Sequence, residues 1–212
     1  VTATPERLDG KGLGVAAGGY FDTLVMGPSV AALVEQGHLS RPVVYAPKTQ
    51  LDLTGIRSVA GDYDRGALAA MMDRPTITGD AVAHYRRFCD GTPAIAFCVS
   101  VAHAEHLAEA FRGAGYAAAS IDGTLDDQTR RQRIDDLGAG RLNVLTSCEI
   151  ISEGTDVPIV AAALLLRPTQ SLGLYLQQVG RALRPFPGKD RAVIIDAVGN
   201  VLRHGHPLEE RA

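Results

Sequence analysis

The sequence predicts an α/β fold with a parallel sheet and helices on both of its faces. Three observations predict it. Residues 94–99 form a continuous apolar run, as buried parallel strands do, and further short strands read at 116–121, 142–146, 161–166 and 192–195. Stretches with helical spacing separate the earlier runs: Ala104, Leu107, Ala108 and Phe111 share one face, and a polar helix spans 126–137. Breakers or capping residues stand at the junctions, among them Ser100, Gly113, Gly115 and Gly123. Strand and helix alternating in this way imply right-handed crossovers. Ligands of such sheets bind at the carboxyl ends of the strands. Those ends carry Ser100, Asp122-Gly123, the loop after Thr146, and Arg167.

The elements before residue 93 are less regular. Residues 20–26 read as a strand stopped by Gly27-Pro28, and Ser29 can cap a helix over 30–36 that Gly37 ends. A second short strand spans 42–46, and 51–63 reads as loop. Helices follow over 64–72 and 80–89, separated by Arg74-Pro75. Asp62, His84 and Tyr85 read as surface polar residues. Further on, Thr124 and Asp127 have capping-box spacing for the helix over 126–137, and Thr169 or Ser171 can cap the helix after the 161–166 strand.

That helix carries the most informative stretch, Gln177-Gln178-Val179-Gly180-Arg181-Ala182-Leu183-Arg184. Leu172, Leu176, Val179 and Leu183 recur on an apolar face. Gln177, Arg181 and Arg184 recur on a neighbouring stripe, roughly 100° around the helix. Guanidiniums are planar, permanently charged and matched to phosphate oxygens. A buttressed row of them can neutralise charge that develops during phosphoryl transfer. Taken by themselves, two arginines fit a solvated basic face better.

Composition bounds these readings. The chain of 212 residues has 46% hydrophobic and 21% charged residues, ordinary for a globular protein. Its net charge of −3 confines any nucleic-acid affinity to a local patch. Cys89, Cys98 and Cys148 fit neither a metal spacing nor a disulfide framework, which points to a reducing cytoplasm. No apolar run approaches membrane-spanning length, so no membrane association is expected. Without a methionine the first ten residues do not read as a natural start, and they read as the interior of a longer protein. The phosphate-loop pattern Gly-x-x-x-x-Gly-Lys-Ser/Thr is absent; Gly10-Lys11-Gly12 and Gly188-Lys189 do not meet it. His204 and His206 lack companion ligands and read as tail, and no metal site is expected.

Taken in order, these residues resemble the second RecA-like domain of superfamily 2 helicases, of the DEAD/DEAH-box type, nearest to the bacterial, phage, restriction and repair branch. Thr2-Ala3-Thr4-Pro5 resembles the motif that closes the first RecA-like domain, and Ala96-Phe97-Cys98-Val99-Ser100 resembles the fourth motif. Ile121-Asp122-Gly123 resembles the His-Gly step, with Asp122 replacing histidine, and Gln128 and Arg131 match the Gln-x-x-Arg element that follows. Glu153-Gly154-Thr155-Asp156-Val157-Pro158 resembles the fifth motif, and Gln177-x-x-Gly180-Arg181-x-x-Arg184 matches the sixth.

The resemblance implies a three-layer RecA-like fold of the P-loop NTPase kind and one half of an ATP-dependent motor. Arg181 and Arg184 take the place of arginine fingers, with Arg184 nearer the γ-phosphate. Gln177 orients them or touches phosphate, Gly154 lets backbone approach the nucleotide, and Asp156 accepts the ribose hydroxyl. Ser100, Gly123, Ser147 and Cys148 face the phosphates of one nucleic-acid strand; the family usually has threonine where Cys148 stands. ATP with Mg²⁺ is the implied cofactor, its metal ligands lying in a first domain. The implied partners are that first RecA-like domain and nucleic acid, DNA in preference to RNA. Residues 1–12 are then a tail from the preceding domain, 13–90 a weakly patterned N-terminal part, and 91–212 the RecA-like core. Without the phosphate-loop half, the chain is expected to be inactive alone. Two other classes share the architecture. One is a non-catalytic RecA-like module that binds nucleic acid or a partner; the other is the nucleotide-sugar domain of a glycosyltransferase. The first would suit a degenerate sixth motif, and the second an acidic sugar-binding motif before a helix.

Overall fold

Residues 14–15, 18–23, 25, 27–47, 51–59, 61–148 and 159–210 are described by the structure, a computed structural model. In chain order the elements are α1 (Val30–Glu35), β1 (Arg41–Tyr45), β2 (Ser58–Val59), β3 (Asp62–Tyr63), α2 (Arg65–Met72), α3 (Pro75–Cys89), β4 (Ala94–Phe97) and α4 (Val101–Gly113). They continue as β5 (Ala118–Ile121), α5 (Asp127–Gly138), β6 (Val144–Ser147), β7 (Ala162–Leu165), α6 (Leu172–Leu183), β8 (Arg191–Asp196) and α7 (Asn200–His204). Six strands form one sheet in the order β1-β8-β7-β4-β6-β5, with every neighbouring pair parallel. The three-layer α/β architecture expected from the sequence is therefore present.

Alternation along β4 shows how one apolar run serves two layers. Ala94 and Ala96 pack with α3 and α4, whereas Ile95 and Phe97 pack with α5 and α6. A strand buried on both faces needs apolar side chains at every position, hence the unbroken run in the sequence. On the first face Tyr85, Leu107 and Phe111 fill the space over the sheet. Tyr85 is a core residue rather than a surface one, and its hydroxyl donates to the carbonyl of Thr92 at 2.7 Å. On the second face α6 presents Tyr175, Val179, Ala182 and Leu183 to the sheet, with Leu172 and Leu176 partly buried beside them.

The structure differs from the sequence expectations at local chemistry. Of the described residues in 20–26, only Phe21 makes a bridge, to Gly14, and no strand forms. Leu24 and Met26 lie outside the described residues. α3 begins at Pro75, not near Asp80. Proline lacks only an N–H that the first helical turn leaves unbonded anyway, so Pro75 starts this helix instead of merely separating two. α5 is capped by Asp126, which accepts from the Thr129 amide at 2.8 Å, and Thr124 serves the preceding turn instead. The 51–63 stretch, expected to be loop throughout, contains the two-stranded antiparallel β2–β3 hairpin. Its Asp62 is paired, not a surface group: its carboxylate meets Arg167 at 3.0 Å.

Candidate functional sites at the two ends of the sheet

A parallel sheet has a carboxyl end and an amino end, and the candidate residues divide between them. At the carboxyl end, register places Phe97 opposite Ser147 and Ile121 opposite Ser147. The loops after β4, β6 and β5 therefore leave the sheet side by side, bringing together Ser100, Ser147-Cys148 and Asp122-Gly123. Ser100 caps α4: its Oγ accepts from the His103 amide at 3.1 Å. A hydroxyl that accepts one hydrogen bond keeps its own O–H as a donor. Asp122 is buried, and its Oδ1 accepts from the Thr124 amide at 2.7 Å, folding the turn that holds Gly123 exposed. The Ser147 side chain is buried and that of Cys148 is half-buried.

Beneath this edge lies His103, fully enclosed. Its Nδ1 faces the Val99 amide at 3.5 Å, and its Nε2 has no hydrogen-bond partner. Burial pulls its pKa down to about 4, so the ring is neutral at pH 7. Cys98, five residues earlier, is fully buried, and desolvation pushes its thiol well above the usual range. The other half of the carboxyl end is a structural network that the sequence reading did not single out. The Asn200 amide donates to the Arg167 carbonyl at 2.9 Å and accepts from the Thr169 amide at 3.1 Å. Asp196 accepts from the amides of Val198, Gly199 and Val201, while burial raises its pKa. His204 joins this network, with Nε2 at 2.9 Å from the Thr169 carbonyl and its ring stacked on Tyr175.

α6 starts after β7 at the carboxyl end, capped by Ser171, and returns along the sheet. Its last turn therefore lies at the amino end. There the Ser40 amide, just before β1, donates to the Leu183 carbonyl at 2.7 Å. Gln177 is exposed and Arg181 half-buried in the last turn. Arg184 does not continue their helical stripe: it is the C-cap, with extended backbone at φ −62° and ψ 131°. The reason is legible in the sequence. Pro185 follows, and proline drives the residue before it out of the helical region. Lys189, also at this end, donates to the carbonyls of Val160 (2.7 Å), Ala182 (2.5 Å) and Arg184 (2.6 Å). Burial pulls its pKa down to about 8. Gly154 and Asp156 fall outside the described residues, as do Thr2-Ala3-Thr4-Pro5.

Residues 81–185 match the helicase conserved C-terminal domain. This chain carries a helicase conserved C-terminal domain. A 51.5 kDa protein of a Lactococcus phage (isolate 7-9) is 34% identical over 206 residues, covering 97% of this chain and 44% of that protein. The putative ATP-dependent helicase IRC3 of Saccharomyces cerevisiae is 28% identical over 201 residues, covering 93% of this chain and 29% of that protein. Among solved structures, a fragment of a putative HsdR subunit of a type I restriction enzyme from Vibrio vulnificus YJ016 superposes with a TM-score of 0.68. The two are 19% identical, and the match covers 89% of this chain and 38% of that one. That likeness speaks for the fold. The helicase C-terminal chain described here spans less than half the length of either curated relative.

Among the described residues no group of three or more His, Cys, Asp or Glu side chains could hold a metal ion. The candidate groups at the amino end are guanidiniums and an amide, a donor set that suits phosphate oxygens.

Proposed function

We propose that this chain is the C-terminal half of an ATP-dependent nucleic-acid helicase or translocase. Arg181 and Arg184 act as its arginine fingers, and Gln177 orients them or contacts phosphate. Gly154 and Asp156 receive the nucleotide. ATP arrives with Mg²⁺ whose ligands belong to a first RecA-like domain. Ser100, Gly123, Ser147 and Cys148 form this domain's share of the track for one strand. DNA is the polymer this reading prefers to RNA. Residues 1–12 belong to the preceding domain's tail, and 91–212 form the functional core behind an N-terminal part at 13–90.

The observation that carries this reading is an intact Gln-x-x-Gly-Arg-x-x-Arg element at the end of α6, inside the stretch that matches the helicase C-terminal domain. It lies at the end of the sheet opposite the Ser100 edge, so nucleotide and strand would meet separate surfaces. A finger stabilises charge that develops in the transition state and contributes little to ground-state binding. In a protein carrying this chain joined to a first RecA-like domain, Arg184→Ala is therefore expected to lower ATP turnover by about 10³-fold or more. ATP affinity should change far less. Wild-type turnover in that variant would remove the assignment.

A further inference from the structure

The Lys189 side chain reaches from the end of α6 to the backbone just before β7. An ammonium has three N–H donors. Those of Lys189 serve the carbonyls of Val160, Ala182 and Arg184, at 2.7, 2.5 and 2.6 Å. Ala182 and Arg184 belong to the helix terminus, where the last carbonyls have no partner within the helix and carry the negative end of its dipole. Val160 stands two residues before β7 and two beyond Pro158. One cation thus ties the exit of the sixth motif to the exit of the fifth.

The loop that delivers the lysine is closed on itself. The Lys189 amide donates to the Phe186 carbonyl at 3.0 Å, and Gly188 turns at φ +82°, a conformation open to glycine at little cost. On the other side, the Ser40 hydroxyl approaches the Arg184 carbonyl at 3.4 Å. Arg184 is the C-cap with extended backbone, and its carbonyl is met by both Lys189 and Ser40. The distance from that backbone to any bound phosphate then depends on them.

We propose that Lys189 is a positioning residue for Arg184, fixing the backbone from which the guanidinium reaches the nucleotide and tying it to the backbone at Val160. The inference rests on the arginine-finger reading. Lys189 itself touches no substrate; it acts through Arg184. A displacement of about 1 Å at a reacting centre can cost about 100-fold in rate. Lys189→Met keeps most of the length of the side chain and removes all three donors.

The test uses the protein in which this chain is joined to a first RecA-like domain, with nucleic-acid-stimulated ATP turnover measured for five forms: wild type, Lys189→Met, Lys189→Arg, Arg184→Ala, and the Lys189→Met/Arg184→Ala double variant. Circular dichroism and thermal unfolding establish the folded fraction of each. Lys189→Met is expected to lower kcat by about 10- to 100-fold with KM for ATP within about twofold. Lys189→Arg should recover part of that loss, because a guanidinium still donates to carbonyls. The double variant should be no slower than Arg184→Ala alone, since a residue that acts only through Arg184 has nothing left to position. Wild-type turnover in Arg184→Ala would remove the finger reading and this inference with it. An impaired Arg184→Ala beside a Lys189→Met protein of wild-type kcat would overturn this inference alone. So would a multiplicative loss in the double variant, or a Lys189→Met loss that merely tracks the folded fraction.

Discussion

The carboxylate of Asp62 and the guanidinium of Arg167 meet at 3.0 Å with both side chains largely withdrawn from solvent. The pair joins the β2–β3 hairpin to the carboxyl end of β7 across 105 residues of sequence. Asp62 also accepts from the amides of Tyr63 (2.9 Å) and Gln170 (2.8 Å), so its lone pairs are well used. Burial lowers the Arg167 pKa, and the neighbouring Asp62 opposes that shift. Such a pair contributes little net stability against apolar replacement, but losing one member strands the other.

Asp62→Ala should therefore destabilise the chain by about 2–4 kcal/mol, leaving Arg167 without its carboxylate in a poorly solvated place. Arg167→Met should be milder in the Asp62→Ala background than in the wild-type one. Urea unfolding of the two single variants and the double variant measures the coupling. Additive losses would show that the two groups do not depend on each other.

His103 gives the chain an acid-sensitive term with a defined sign. Its folded-state pKa of about 4 lies below the ordinary value of 6.5. The unfolded chain takes up a proton as pH falls through 6.5, and the folded chain resists until about 4. Stability from this group is complete above the upper value and is lost across that window, by roughly 3 kcal/mol in all. His103→Leu should lower stability at pH 7, because the Val99 amide loses its acceptor, yet flatten the decline toward about pH 4.5. Denaturant titrations of both proteins at the two pH values check this. Parallel declines would place the acid sensitivity elsewhere.

The layers of the fold were legible because the four inner strands of the sheet are buried on both faces. Burial on both faces leaves no polar alternation to misread, and the continuous runs at β4, β6, β7 and β8 mark the sheet directly. The helix caps Ser29, Ser100 and Ser171 were legible for a similar reason, since each stands immediately before an apolar periodic stretch. What escaped was chemistry between residues distant in sequence. Nothing near Asp62 announces Arg167, and nothing near Lys189 announces Val160. Arg184 is a different case: helical spacing put it on the stripe with Gln177 and Arg181, but the adjacent Pro185 already excluded it. The local rule should have outweighed the periodic one.

Purified on its own, this chain should release no phosphate from ATP above background, with or without nucleic acid. Fingers act on a phosphate that other groups have already aligned, and the pattern for a phosphate loop does not occur in its 212 residues. A phosphate-release assay at saturating ATP and Mg²⁺, with single-stranded DNA and RNA added in separate arms, is the measurement. Robust stimulated release would mean that the chain holds a complete catalytic centre of another kind.

The same chain should bind single-stranded nucleic acid weakly, without sequence preference, and with a shallow salt dependence. Charge is the starting point: at −3 the chain has no surplus to draw a polyanion from a distance. Affinity then depends on the edge where the loops of Ser100, Gly123 and Cys148 emerge side by side. Groups there are hydroxyl, thiol and backbone amide, which hydrogen-bond phosphate oxygens but displace few counterions. The slope of log K against log salt should correspond to only a few released ions. Contacts of this kind read backbone and not bases, so homopolymers should compete about equally. A second strand-binding surface on a linked domain would multiply the affinity through effective concentration, and the separate chain lacks that gain. Labelled oligonucleotides of differing sequence, as DNA and as RNA, titrated at several salt concentrations, test each part. Ser100→Ala should weaken binding severalfold while leaving the salt slope unchanged, because it removes a neutral donor. Tight, salt-insensitive binding to one sequence would instead make this edge a dedicated recognition surface and set aside its part in a motor.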